Sequence, residues 1–363
     1  MAWLAGALQA KGHEVHYLNA SGVSDNRDGI RYVCTSEKPW HYIADGQRSI
    51  QQSLKFAYQL RKIVREISPE VIYSVQAPIF SIFSLHFMRR KTWFLIVEWI
   101  EIWSRDYWNH YLGKLTGSIG YLIQTAATRL GDLRVTFTQR CYNLVGGNKN
   151  SKVLLPGLHM NPTRESSTPF FKRNDITFLG RFVAEKQPLL ALKVISTLVE
   201  QGWKGKFHLI GSGPLESEIQ KEIKKLNLNQ VVNLQVNAPQ EVLENCLTQS
   251  FVLLHPSRRE GYGLAMIEAA EKCIPTILIN YPENASVDLD ISPMYVSEDD
   301  SVLRLAKLVN QALANQKADW HRLSEWKIKT LPTMSAVNSV NQLLDLIEDR
   351  NHPQTESFGE SDV

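Results

Sequence analysis

The chain alternates between segments whose apolar residues recur at helical spacing and short apolar runs typical of buried strands. Residues 50–67 predict an amphipathic helix that is stopped by Ser68-Pro69, and the run at 71–75 follows directly. The predicted elements of the first half are helices over 2–9, 50–67 and 116–130 and strands over 14–18, 71–75, 93–97 and 134–138. This order of strand and helix predicts a parallel sheet covered on both faces.

The second half repeats the alternation more regularly. Its predicted strands lie at 176–179, 207–210, 231–236, 251–254 and 275–279, with helices between them. The polar, proline-bearing stretch 156–174 separates the two series and predicts a linker. We therefore predict an α/β protein of two doubly wound, Rossmann-like domains that face a cleft, at 1–165 and 166–332. A helix within 333–350 is expected to pack back on the first domain, and 351–363 to be a disordered tail.

The beginning of the first domain departs from this pattern. A doubly wound domain normally opens with a buried strand and a glycine-rich turn that leads into the first helix, whereas this sequence opens with the helix itself. Two explanations are open: the first strand lies upstream of Met1, or this chain has lost it.

Composition and charge narrow the class of protein. With 363 residues, 44% hydrophobic and 21% charged, the chain has the composition of a globular enzyme, and no nucleic-acid partner is indicated. The formal net charge of +3 divides into +8 for residues 1–170 and −5 for the remainder. The basic clusters Arg61-Lys62/Arg65 and Arg89-Arg90-Lys91 are either solvated surface or a contact for anionic lipid headgroups or a lipid-diphosphate acceptor.

The cysteines and the apolar segments indicate a location. The four cysteines are scattered, without CxxC or a histidine at ligand spacing, so neither a disulfide framework nor a metal site is expected. The longest apolar run, 93–103, contains Glu98 and Glu101 and is too short to span a bilayer. We expect a cytoplasmic protein without a signal peptide, with the inner face of the membrane as a possible place of action.

The segment from Glu260 to Glu268 carries the strongest chemical signal. Gly261 and Gly263 allow backbone amides to approach a ligand, and a helix starting near Leu264 directs its unpaired N–H groups to the same place. The pattern favours a diphosphate site, with Glu268 placed to accept hydrogen bonds from a ribose and Glu260 facing a sugar. Taken alone, the same spacing also fits a glycine-bearing loop with two solvated glutamates.

Two further segments end predicted strands of the second domain. Gly180-Arg181 and, five residues on, Lys186 emerge at the carboxyl edge, where such sheets bind ligands. An arginine and a lysine can together neutralise the charge that develops on a leaving diphosphate without a metal ion, although an isolated pair is more often solvated. Gly211-Ser212-Gly213 closes another strand, but Glu216 replaces the third glycine of a dinucleotide fingerprint, which disfavours a nicotinamide site.

In this order and in this strand–helix context, the three segments resemble the family 4 glycosyltransferases, of the type called glycosyl transferases group 1. The resemblance covers about residues 176–289. It implies a GT-B fold, a UDP-, GDP- or similar sugar nucleotide held mainly by the second domain, and an acceptor held by the first. It further implies a hexosyltransferase of polysaccharide biosynthesis that retains anomeric configuration, acts on a saccharide or lipid-linked acceptor, and needs no metal or other cofactor.

The resemblance also assigns roles by position. It implies that Arg181 and Lys186 hold the diphosphate, that Glu268 holds the ribose, and that Glu260 binds the hydroxyl groups of the donor sugar. The segment 231–237 would border the base. The remaining implied donor contacts are Gly180, Gly211, Gly213, Gly261, Tyr262, Gly263, Leu264 and, in the loop 284–286, Ser286.

The acceptor side fits the family less closely. The segments 11–15 and 69–72 resemble the end of the family's first helix and its next strand, but the glycine-rich loop before the helix is absent. Many relatives carry a histidine just after a central strand, whereas residues 97–103 of this chain contain none. Glu98 or Glu101 is a candidate for its polar role, and we select Glu101 as a catalytic residue. The aromatic candidates for stacking on an acceptor sugar, or for packing in the core, are Trp99, Trp103 and Trp108.

Three other functions remain open on the sequence alone. The missing strand and histidine are compatible with a catalytically impaired GT-B protein that binds a nucleotide sugar or a partner. A GT-B sugar-nucleotide epimerase would release products from the donor alone. A Rossmann-type redox enzyme is disfavoured by Glu216.

Overall fold

The computed structural model describes residues 2–20, 22–36, 42–43, 47–154, 157 and 173–348. The helices are α1 (Ala2–Ala10), α2 (Ile50–Ile67), α3 (Ile79–Met88), α4 (Arg105–Leu112), α5 (Lys114–Ala127), α6 (Gln139–Leu144), α7 (Pro188–Glu200), α8 (Glu216–Lys225), α9 (Gln240–Gln249), α10 (Leu264–Glu271), α11 (Val302–Lys329) and α12 (Ala336–Glu348). The strands are β1 (Val15–Asn19), β2 (Asp25–Arg27), β3 (Ile30–Cys34), β4 (Tyr42–Ile43), β5 (Gln47–Arg48), β6 (Val71–Val75), β7 (Phe94–Trp99), β8 (Leu133–Thr136), β9 (Ser151–Val153), β10 (Asp175–Leu179), β11 (Phe207–Gly211), β12 (Val232–Val236), β13 (Ser250–Leu254), β14 (Thr276–Ile279) and β15 (Met294–Ser297).

The second domain contains a six-stranded sheet in the order β12-β11-β10-β13-β14-β15, with every neighbouring pair parallel. The central strands are short runs of Ile, Leu, Val and Phe because helices cover them on both faces and leave no solvated side. From β10 the chain winds outward to β12, and from β13 it winds outward in the opposite direction. The carboxyl ends of β10 and β13 therefore form the topological switch point, where open α/β sheets bind ligands.

The first domain divides its strands between two larger sheets. Four parallel strands run in the order β6-β7-β8-β9, and a separate sheet pairs β1 parallel with β3 and β3 antiparallel with β2. Within the described residues no strand joins β1 to β6. The two sheets of this domain are therefore separate in the part of the chain that the structure describes.

The C-terminal helix returns to the first domain. Helix α12 packs against α1, and its residues Val340 and Leu343 are buried together with Leu4, Phe94 and Ile96. The long helix α11 packs on β13 and β14 of the second domain and brings the chain to this crossing. The last helix therefore connects the two domains by packing as well as by sequence.

Several element boundaries coincide with the sequence predictions and others do not. Helices α2 and α12 and strand β6 begin and end where their periodicity indicates. Strand β7 runs two residues further than predicted, through Glu98 and Trp99. Most of the predicted linker 156–174, and the tail 351–363, lie outside the described residues. In the part of the chain that is described, no helix is long and apolar enough to cross a membrane.

Candidate active site

The loops that follow β10 and β13 meet at the switch point of the second domain. The first loop includes a 3₁₀ turn, Ala184–Lys186, and the second runs from His255 to the start of α10 at Leu264. The backbone N–H of Arg258 donates to the carbonyl of Glu185 at 2.7 Å, which ties the two loops together. The parallel pairing of β10 with β13 is what brings these segments of distant sequence into contact.

Glu260 lies at the centre of an ionic network. Its carboxylate oxygen Oε1 accepts from the Lys186 ammonium and lies 2.9 Å from Nε2 of His255, a buried residue at the end of β13. Burial alone would raise the pKa of Glu260, but the hydrogen bond and charge of His255 and the ammonium of Lys186 lower it to about 2. Glu260 is therefore an ionised hydrogen-bond acceptor at every physiological pH.

Arg181 stands at the same edge of the sheet with its side chain exposed. Among the described residues, no side-chain hydrogen bond or ion pair involves it. The charge of Arg181 acts on Glu185 in the 3₁₀ turn. Burial would raise the pKa of Glu185, but hydrogen bonding and the charges of Arg259 and Arg181 lower this pKa. The two predicted cations thus differ, since Lys186 is paired with Glu260 whereas Arg181 is free to meet an anion.

Gly211 and Gly213 hold the segment that carries Arg181. A Cβ atom at Gly211 would lie 1.9 Å from the carbonyl oxygen of Gly180, and one at Gly213 would lie 2.5 Å from that of Phe182. The backbone N–H of Phe182 also donates to the carbonyl of Ser212 at 2.8 Å. These glycines are required because two backbone segments pass each other more closely than any side chain would allow.

Helix α10 begins at the second predicted loop. Gly263 caps it with a left-handed φ of 82°, and no side chain caps the first amides. A Cβ at Gly263 would meet Met266 and Ser286, so the tight turn also depends on glycine. Leu264 and Glu268 are exposed on the helix, about 6 Å apart along its axis. This separation suits a nucleotide with its phosphates at the helix end and its ribose at Glu268.

The loop after β14 supports this turn from beneath. Asn284 is fully buried and donates to the carbonyls of Ser257 and Ile279 at 3.2 and 3.0 Å, while its Oδ1 accepts from the hydroxyl of Ser286. The side chain of Ser286 is itself buried next to Gly263. The side chain of Ser286, predicted as a donor contact, therefore lies beneath the turn and not on an open surface.

Two residues of this second-domain segment contact the first domain. A Cβ at Gly261 would lie 2.6 Å from the Ile100 side chain. The backbone of the loop after β13 therefore passes directly beneath Ile100, the residue that follows β7. The Tyr262 ring is buried against Phe137 with centroids 5.7 Å apart, and its hydroxyl has no partner among the described residues. Burial raises the pKa of this hydroxyl, which stays protonated.

Glu101 occupies the corresponding position on the first domain. Gln76 holds its backbone, because the Gln76 side-chain oxygen accepts from the amides of Ile100 and Glu101 at 2.8 and 3.0 Å. The Glu101 carboxylate lies 3.7 Å from Nε of Arg259. Glu101 therefore faces the second domain.

Glu98, the other predicted acidic candidate, is not at the cleft. It is 2% exposed within β7, and its carboxylate accepts from the Tyr73 hydroxyl at 2.6 Å. Burial raises the pKa of Glu98, as expected for a carboxyl group in a core. The expectation that Glu98 could replace the missing histidine is wrong because the pleat of β7 turns its side chain into the domain.

The three tryptophans predicted to stack on an acceptor sugar or to pack in the core differ in their surroundings. Trp99 is 1% exposed and belongs to the core, so it cannot stack on an acceptor. Trp103 and Tyr107 instead enclose Arg259, whose guanidinium carbon lies 4.7 and 4.9 Å from their ring centroids. Trp108 packs on Trp103 at 4.8 Å. The aromatic residues after β7 therefore bind a cation of the second domain.

A second arginine joins the domains from the other side. Arg140 on α6 binds the Asp288 carboxylate at 3.2 and 3.3 Å and donates to the carbonyls of Tyr281, Pro282 and Asn284. It thereby holds the loop that contains Ser286. The loops after β13 and β14 are thus both held against the first domain.

Sequence reasoning overlooked two residues of this arrangement. His255 and Arg259 are not among the predicted site residues. A histidine directly before Pro256, at the end of an apolar strand, was the available signal for the first. No local pattern signals Arg259, because its partners come from the other domain.

Parts of the chain are similar in sequence to known proteins. Residues 161–329 match the family described as Glycosyl transferases group 1. The chain is 27% identical over 137 residues to protein CapJ of Staphylococcus aureus, covering 38% of this chain and 34% of that protein. It is 25% identical over 146 residues to the amylovoran biosynthesis glycosyltransferase AmsD of Erwinia amylovora, covering 40% of each. The chain thus matches between about a third and two fifths of the length of these curated relatives.

Similarity of structure extends over nearly the whole chain. The Anabaena protein HepE, whose crystal structure contains UDP and glucose, superposes with a TM-score of 0.67 at 13% identity, covering 92% of this chain and 99% of HepE. At this identity the likeness shows the fold alone. The GT-B fold predicted from the sequence is therefore confirmed.

Proposed function

We propose that this GT-B chain, whose residues 161–329 match the family described as Glycosyl transferases group 1, transfers a sugar from a nucleoside-diphosphate sugar to a saccharide or lipid-linked acceptor. We further propose that it belongs to the retaining family 4 enzymes and acts without a metal ion. The observation that carries the proposal is the meeting of Lys186, Glu260 and the uncapped start of α10 at the switch point, with Arg181 at the same edge.

The proposed reaction exchanges one bond at the anomeric carbon for another. The bond from this carbon to the diphosphate oxygen breaks, and the bond to the acceptor oxygen forms on the same face. The acceptor proton passes to the departing diphosphate, so no enzyme nucleophile is needed. Catalysis then rests on positioning and on neutralising the leaving group, for which Arg181, Lys186 and the α10 amides are suited.

Glu260 is proposed to orient the donor sugar. A carboxylate with a pKa of about 2 cannot act as a general acid near neutral pH, but it can accept hydrogen bonds from sugar hydroxyl groups. Its contacts with Lys186 and His255 fix its direction. Lys186 is then shared between this carboxylate and the diphosphate.

The relatives suggest the classes of substrate. HepE was solved with UDP and glucose and also with UDP-glucose, which supports a UDP-sugar as the first donor to test. AmsD is named for amylovoran biosynthesis, which supports an acceptor in the synthesis of a polysaccharide. We propose that the protein works in the cytoplasm, where sugar nucleotides are available.

A donor screen tests the function without knowledge of the acceptor. The purified protein is titrated calorimetrically with UDP and GDP, and release of nucleotide is then followed from UDP-glucose, UDP-N-acetylglucosamine and GDP-mannose with and without lipid-linked and saccharide acceptors. Acceptor-dependent release, with the anomeric configuration retained by NMR, is the expected result.

The same screen separates the alternatives. Tight nucleotide binding without turnover on any acceptor would identify a catalytically impaired protein. Release of nucleotide and a changed free sugar from donor alone would identify an epimerase. Absence of nucleotide binding would overturn the proposed function altogether.

A further inference from the structure

Helix α4 of the first domain contacts two loops of the second domain at the candidate active site. Ser104 precedes the helix as its N-cap residue, and Tyr107 lies in its first turn. The Ser104 hydroxyl donates to the carboxylate of Glu283 in the loop after β14. The Tyr107 hydroxyl donates to the carboxylate of Glu185 at 3.1 Å, in the loop after β10. One short helix therefore holds two glutamates that stand on different loops of the other domain.

Each of these glutamates adjoins one member of the Lys186–Glu260 pair. Glu185 directly precedes Lys186 in the 3₁₀ turn. The backbone carbonyl of Glu283 accepts from the amide of Glu260 at 3.2 Å, and a parallel bridge between Glu260 and Asn284 extends this contact. The side chains of α4 thus reach the charged pair through one peptide bond on one side and one backbone hydrogen bond on the other.

The ionisation of the partners favours the contact between Tyr107 and Glu185. Burial raises the pKa of the Tyr107 hydroxyl, which therefore stays protonated and can donate. Burial would raise the pKa of Glu185 as well, but hydrogen bonding and the charge of Arg259 lower it, and the bond from Tyr107 adds to this effect. The result is a charge-assisted hydrogen bond, which is stronger than one between neutral groups.

The start of α4 also suits the second contact. The Ser104 oxygen accepts from the amide of Tyr107 at 3.1 Å, so its hydroxyl group is left to donate to Glu283. The Glu283 carboxylate thus lies at the amino end of α4, where the helix dipole favours a negative charge. Both contacts therefore join an ionised glutamate of the second domain to a hydroxyl group of the first.

We propose that Ser104 and Tyr107 are positioning residues for glycosyl transfer, which fix the Lys186–Glu260 pair from the opposite domain. Their effect passes through Glu283 and Glu185 and requires no contact with the nucleotide sugar. The inference rests on the proposed function, because the placement of Lys186 and Glu260 matters for transfer only if they hold a diphosphate and a sugar. It makes the chemistry of the second domain depend on a helix of the first.

A double-mutant cycle on Tyr107 and Glu185 tests the proposal in the full chain. Tyr107→Phe removes the hydroxyl and keeps the ring that packs on Arg259, and Glu185→Ala removes the partner carboxylate. Each change should lower kcat for nucleotide release about 10-fold, the scale of one hydrogen bond to a charged group. The double variant should be no slower than the slower single variant, because both changes break the same contact.

A second measurement separates positioning from loss of structure. Calorimetric titration with UDP should give nearly the same affinity for Tyr107→Phe as for the unaltered protein, because Arg181, Glu268 and the α10 amides remain in place. The melting temperature should also be unchanged. A merely structural role would instead lower the melting temperature and the fraction of protein that binds nucleotide.

The contact of Ser104 is tested by charge repulsion and its relief. Ser104→Asp keeps a good N-cap residue but places a second carboxylate next to Glu283, and kcat should fall roughly 10-fold. Ser104→Asp/Glu283→Gln removes the repulsion and should recover most of this loss. Tyr58→Phe on α2 is the control for loss of a tyrosine hydroxyl, since Tyr58 is 77% exposed, and it should leave kcat unchanged.

The outcomes distinguish this inference from the proposed function. If the unaltered protein turns over a donor and both Tyr107→Phe and Ser104→Asp match it, the inference is overturned while the proposed function stands. Losses that add in the double variant of Tyr107 and Glu185 would also overturn the inference. If the unaltered protein turns over no donor, the proposed function fails, and the inference falls with it.

Discussion

The two domains present opposite cases of how a site is built. In the second domain, Arg181, Lys186 and Glu260 stand on loops that directly follow strands of one sheet, and neighbouring strands bring them together. In the first domain, Glu101 and Trp103 are brought next to the second domain by their contacts with Arg259. The part of the site in the second domain therefore follows from local sequence, whereas the part in the first domain depends on how the domains meet.

The largest expected effect is that of removing Arg181, the cation of the proposed diphosphate site that has no side-chain partner among the described residues. Arg181→Ala should lower turnover roughly 10²- to 10³-fold, because one preorganised charge on a leaving group contributes on that scale. Thermal stability should not change, since the side chain is exposed. Steady-state nucleotide release measures the effect, and Lys193→Ala on α7 is the matched control. Equal activity of both variants would remove Arg181 from the site.

The next effect concerns ribose recognition. Glu268→Ala should weaken binding of the nucleoside diphosphate roughly 10- to 100-fold, as expected for hydrogen bonds to a charged group. Calorimetry should show this loss with the ribonucleotide but not with its 2′,3′-dideoxy analogue, which lacks the diol. Glu271→Ala, on the same helix, should bind almost normally. A loss that is the same for both nucleotides would contradict the assigned role.

A smaller effect tests the dependence of the first domain on the second. Arg259→Ala should reduce kcat/KM roughly 5- to 30-fold, because the residue loses its contacts with the aromatic pair and with Glu101. Its neighbour Arg258 pairs with Asp300 within the same domain, so Arg258→Ala should be nearly silent. If both substitutions were equally harmless, contact between the domains would have no part in catalysis.

The smallest expected effect concerns pH. The contribution of Glu260 to stability should not change between pH 5 and 8. The pKa of Glu260 is lowered from its ordinary 4.5 to about 2, so its stabilising contribution is complete above about pH 4.5 and is lost as the pH falls toward 2. The difference in melting temperature between the unaltered protein and Glu260→Gln should therefore be constant from pH 5 to 8. A difference that changed within this range would show that Glu260 titrates there.

Much of the second domain was predictable because its information is local. The strands are continuous apolar runs, and each motif follows a strand that the pattern locates to within one residue. His255 escaped notice because its partnership with Glu260 requires the turn between them to be known.

The first domain resisted prediction for a different reason. Glu98 and Glu101 lie three residues apart in one apolar run, and periodicity does not reveal where the strand ends. Because β7 continues through Trp99, Glu98 is inside the core and Glu101 is beyond the strand. Strand β2 was missed because its three residues are all polar, whereas β3 is a short, mainly apolar run that offered a signal and was overlooked.

A crystal structure with the nucleoside diphosphate that binds, UDP or GDP, tests the central claim most directly. The account predicts the diphosphate at the start of α10 between Arg181 and Lys186, with the ribose hydroxyl groups on Glu268. A nucleotide bound elsewhere, with these three side chains untouched, would contradict it.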